Sequence, residues 1–126
     1  MSKKNTPFLY IDDGIIFEYH EDEIITVEVA FASAHERKRL AGKKKMPLMV
    51  EFKKLFAYSP DTRDMDTALI LANVSALAFY VNGNNSKIPE SEKALIYNFY
   101  DKTPWPVPVK VFFDKQEGIL WLKQNG

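Results

Sequence analysis

Short apolar runs alternate with amphipathic stretches along this chain. Phe8–Ile11 is apolar and is followed by Asp12-Asp13-Gly14, a strong hairpin turn signal. Ile15–His20 then sets Ile15, Phe17 and Tyr19 against Ile16 and Glu18, so Phe8–Ile11 and Ile15–His20 are predicted to form an antiparallel hairpin. From Val27 to Ala41 the period becomes helical, with Thr26 as N-cap and Val27, Ala30, Phe31, Ala34 and Ala41 on one apolar face. Arg37-Lys38-Arg39 falls in the last turns, where cations suit the helix dipole, and Gly42 is a natural stop.

Met46–Phe52 reads as a buried strand and Lys53–Tyr58 as a connection. Ser59-Pro60-Asp61 opens a second helix, with Ser59 as N-cap, Pro60 at the first helical position and Met65, Ala68, Leu69 and Ala72 on its buried face. Ala76–Val81 is continuously apolar, which suits a parallel strand covered on both faces. A third helix is expected from about Pro89 to Tyr100. Pro104-Trp105-Pro106-Val107-Pro108 excludes both helix and central strand, and Val109–Phe113 is the last strand. Asp114-Lys115-Gln116-Glu117 resembles a capping box and opens a final helix carrying Ile119, Leu120, Trp121 and Leu122. The order β-β-α-β-α-β-α-β-α predicts one α/β domain over residues 1–126, with a mostly parallel sheet, an antiparallel edge and about four helices.

Composition narrows the function classes. Seventeen basic residues balance seventeen acidic ones, which argues against a dedicated nucleic-acid binder. The chain has no cysteine, so disulfides, thiol nucleophiles and cysteine-based zinc sites are excluded. Residues 1–7 are polar, lack the apolar core of a leader peptide and are expected to be flexible. No stretch approaches the about 18 apolar residues of a membrane span. A cytoplasmic location is the resulting expectation. The neutral total conceals a division: Asp12–Glu28 holds seven acidic and no basic residues, whereas Glu36–Lys54 holds eight basic and two acidic ones. On separate faces these segments would favour docking to a protein partner or pairing into a homodimer.

The element order, the Asp13-Gly14-Ile15-Ile16 turn, the run from Phe99-Tyr100 through Pro104-Trp105-Pro106 to Lys110-Val111-Phe112, and the closing helix with Trp121-Leu122 together resemble the STAS superfamily, the SpoIIAA-like fold. The resemblance covers nearly the whole chain and is nearest to small bacterial single-domain members. It implies a regulatory or protein-interaction role, like that of the anti-sigma-factor antagonists. In those proteins a serine at the start of the helix after the central strand is phosphorylated, which would make Ser59 the phosphorylation candidate. Here Tyr58 replaces the preceding acidic residue, Pro60 stands where a second hydroxyl would be, and the following glycine is missing.

Ser59 therefore has two readings, a helix cap worth about 1 kcal/mol or a phosphoacceptor whose added charge a helix N-terminus would accommodate. Tyr58, Ser59 and Trp105 are the interaction candidates, Trp105 because its flanking prolines hold it in a rigid extended segment. Tyr80, Tyr97 and Tyr100 are candidates for lining an apolar pocket. His20, beside Glu21 and Asp22, reads as a solvated strand-end residue. The acids Asp61, Asp64 and Asp66 read as helix-start charges. No metal site, cofactor fingerprint or catalytic constellation is visible. An enzyme would need a cleft joining His20 or His35 to a strongly perturbed carboxylate. The expected function is a non-enzymatic regulatory or protein-interaction domain; the alternative is a module binding a small apolar ligand.

Overall fold

A computed structural model describes residues 8–20, 24–25, 27–52, 57–58, 72–81, 90–91, 94 and 105–126. The hairpin forms where the Asp-Gly signal lies. β1 (Phe8–Asp12) pairs antiparallel with β2 (Ile15–His20), and the turn places Asp13 at φ 54° and Gly14 at φ 76°. Two consecutive positive φ values belong to the turn type whose twist matches that of the flanking strands. β3 (Ile24–Ile25) follows, and α1 (Val27–Ala41) ends where Gly42 turns to φ 67° and donates its N–H to the Lys38 carbonyl at 2.9 Å. The remaining elements are β4 (Met46–Phe52), β5 (Ala57–Tyr58), β6 (Val74–Val81), β7 (Val109–Phe112) and α2 (Lys115–Asn125).

The main sheet has five strands in the order β1-β2-β4-β6-β7, and every pair but the first is parallel. The order rises monotonically with the sequence. β2, β4 and β6 are buried on both faces, as their apolar runs require. One core contains Ile16, Val29, Leu48, Val50, Leu77, Phe79 and Val111 on the α1 side; the other contains Ile15, Phe17, Met49, Ala76, Ala78, Phe112 and Leu122 on the α2 side. The chain is thus an α/β protein with a mixed sheet between two helices among the described residues.

α2 starts as its sequence dictates. Asp114 is its N-cap, and its Oδ1 accepts from the Gln116 N–H at 3.1 Å. Gly118 lies in the interior of this helix and is buried against the sheet. A Cβ there would stand 2.6 Å from Met49 Cε and 3.3 Å from a Phe112 ring carbon. Gly118→Val should therefore overpack the interface and lower stability by about 1–3 kcal/mol, read from urea unfolding.

Several expectations are corrected. β3 and β5 form a small parallel sheet with Ile24 opposite Ala57 and Ile25 opposite Tyr58, so Tyr58 lies in a strand rather than in a connection. β7 ends at Phe112, one residue before the predicted limit. The buried stripe of α1 is Val29, Ser33, Arg37 and Ala41, whereas Phe31, assigned to the apolar face, is exposed. The helix is rotated from its apolar expectation because a buried ion pair, described next, captures Arg37. The predicted helix after Ser59 and the cap Thr26 lie outside the described residues, as do Asp61, Asp64 and Asp66; of the helix predicted from about Pro89, only Glu90, Ser91 and Ala94 are described, and they are helical.

Candidate functional site

Strand parity and helix period meet on the α1 side of β2. Successive strand residues face opposite ways, so Ile16, Glu18 and His20 share the face beneath α1. Residues four apart on a helix share a face, so Val29, Ser33, Arg37 and Ala41 form the stripe that α1 turns inward. Glu18 and Arg37 meet where these surfaces touch. Arg37 Nη1 donates to Glu18 Oε1 at 2.6 Å, and His20 Nε2 lies 2.5 Å from Glu18 Oε2. Glu18, His20 and Arg37 are only 4%, 4% and 3% exposed.

Burial, the largest influence on the Glu18 carboxyl, pushes its pKa up. The charge of Arg37 and the bonds from His20 and Arg37 together outweigh it and bring the pKa down to about 2. Glu18 is therefore ionised throughout the physiological range, a fixed anion between a helix and a strand. One turn before Arg37, the buried Ser33 Oγ has no hydrogen-bond partner.

His20 is accordingly not a solvated strand-end residue, and Arg37 is not a surface cation serving the helix dipole. His20 does meet a perturbed carboxylate, but the displacement is downward. The carboxylate holds its proton too weakly to act as an acid near neutral pH. The Glu18–Arg37 pair also joins the acidic segment to the basic one within the interior.

The outer side of the hairpin is different in character. Phe8, Tyr10 and Ile11 are 62%, 39% and 41% exposed. Tyr10 stacks on Phe17 at 5.3 Å between ring centroids and touches Phe8 at 5.5 Å, so a ladder of rings runs from the α2-side core out to the sheet margin. Leu9 packs against the other core, which puts Ile11 on the α1 side. β1 thus carries apolar side chains on both faces, and among the described residues no strand pairs with its outer edge. Its register with β2 is regular, without a bulge, and it contains neither lysine nor proline. The opposite margin is protected: β7 has four residues, carries the exposed Lys110 and follows Pro104, Pro106 and Pro108. Such lysines and prolines are the usual means of discouraging edge pairing.

The residues singled out from sequence are dispersed. Trp105 is half-buried, its ring 5.7 Å from that of Phe79 on the α1 side. Tyr80 is half-buried on the α2 side, and burial, then Glu51 and Asp114, raises its phenol pKa. The sheet therefore separates Trp105 from Tyr80. Tyr58 pairs with Ile25 through β5, and Ser59, Tyr97 and Tyr100 lie outside the described residues. Among the described residues, no group of three or more His, Asp or Glu is placed to hold a metal, and no helix is long and apolar enough to cross a membrane.

The fold and the open hairpin margin define a mixed-sheet α/β domain. Residues 9–125 match the family described as "Domain of unknown function (DUF7793)", and the chain belongs to that family. No curated protein and no solved structure matches it.

Proposed function

We propose that this chain is a non-enzymatic protein-interaction domain with a STAS-like fold, which recruits its partner by strand addition at β1. The observation that carries the proposal is the β1 edge, which among the described residues has no strand on its outer side, is regular and apolar on both faces, and lacks the lysine that β7 carries. Strand addition draws affinity from main-chain hydrogen bonds and specificity from alternate side chains, and β1 offers both. The STAS-like part is supported by the mixed sheet with its antiparallel hairpin at one margin and by the closing helix α2 with Trp121-Leu122. The regulatory role, like that of anti-sigma-factor antagonists, is the finer form of the proposal.

A photo-reactive phenylalanine analogue at position 11, introduced in the cells that make the protein, tests this reading. The expected result is a protein adduct of discrete mass at position 11, absent when the same group replaces Leu120, which is 60% exposed on α2. Equal labelling at both positions, or none at position 11, overturns it.

A further inference from the structure

We infer that the strand added to β1 is the β1 of a second copy, antiparallel about a two-fold axis with Tyr10 opposite Tyr10 of the partner subunit. The inference rests on the strand-addition reading above and names its partner. In this register Leu9 opposes the partner's Ile11, and Phe8 opposes the partner's Asp12. Each opposed pair points to the same face, as an antiparallel ladder requires. The ring ladder Phe17–Tyr10 then continues across the axis into the partner's Tyr10 and Phe17.

Charge selects this arrangement. Asp12 is the one charged residue of β1, and the antiparallel register separates the two copies of it by four residues, roughly 13 Å along the strands. That exceeds the Debye length of about 8 Å at physiological salt. A parallel pairing would set the two carboxylates side by side. The blunted β7 disfavours the head-to-tail alternative, in which β1 of one copy joins β7 of the next and the assembly fails to close. A five-residue pairing lies at the small end of specific interfaces, so the dimer should form and dissociate with concentration.

The absence of cysteine makes the register directly testable. Opposed residues of an antiparallel pair have Cα atoms about 4.5–5.5 Å apart, within disulfide reach, whereas about 13 Å is outside it. Under mild oxidation the full chain carrying Tyr10→Cys should become disulfide-linked at least about tenfold faster than the Asp12→Cys chain. By light scattering, the unmodified chain should rise from 14.5 kDa toward twice that mass with concentration. Ile11→Lys, at an exposed site, should hold it at 14.5 kDa with an unchanged unfolding midpoint. Equal linking of the two cysteine variants overturns the register. A mass fixed at 14.5 kDa overturns self-pairing. If that mass is fixed while position 11 labels a different protein in cells, strand addition stands and only the second copy falls; if position 11 labels nothing, both readings fall.

Discussion

Replacing Arg37 by methionine should destabilise the fold by about 3–5 kcal/mol, because it leaves the Glu18 carboxylate buried without its cationic partner. Urea unfolding at neutral pH reads this as a lower midpoint with little change in slope. The loss should be far larger than for either of the exposed pairs, Arg39–Glu36 or Lys123–Asp13, since ion pairs in water contribute about 0–1 kcal/mol. The double variant Glu18→Leu, Arg37→Met should recover most of the loss, because removing both charges also removes the desolvation that makes a lone one costly. A double variant no more stable than Arg37→Met would mean that the pair is not what holds α1 against β2.

Acid should release the same clamp. The folded-state pKa of Glu18, about 2, lies below the ordinary value of 4.5, so the stabilisation is fully present above pH 4.5. It is lost as the pH falls from there through about 2. A displacement of this size corresponds to about 3 kcal/mol. Among the described residues, the titratable and charged groups against Glu18 are the Arg37 guanidinium from α1 and the His20 imidazole from its own strand. Glu18→Gln, which cannot ionise, should be less stable than the wild type at about pH 5.5, and the gap should close by most of that amount at about pH 2.5. A gap that stays constant would show that the carboxylate is not held ionised by its partners.

Much of the framework was legible in the sequence. Asp13-Gly14 located the hairpin because few dipeptides accept two positive φ values, and Gly42 and Asp114 marked a helix end and a helix start for similarly local reasons. Apolar continuity in Met46–Phe52 and Ala76–Val81 marked the two central strands. The rotation of α1 was not legible, because its inward stripe includes Ser33 and Arg37, residues that an apolar criterion assigns to solvent. One signal was present. Glu18 shares the parity of Ile16 in a strand with apolar residues on both faces, so its carboxylate needed a buried cation, and Arg37 lies in register with Val29 and Ala41. The β3–β5 pairing depends on residues 32 or more positions apart and leaves no local trace. The place of β1 at the antiparallel edge was legible in the hairpin signal, but the exposure of its apolar side chains was not, because it depends on what the rest of the fold leaves uncovered.

The monotonic strand order bears on how the chain is made. Among the described residues, no strand is inserted between two earlier ones; each parallel strand joins the edge left by its predecessor. In a chain emerging from its N-terminus, the segment that forms each docking edge is therefore made before the strand that joins it. The starting edge, β1, is covered by none of the strands that follow it in the sheet, so the surface assigned here to recognition is among the first completed during synthesis.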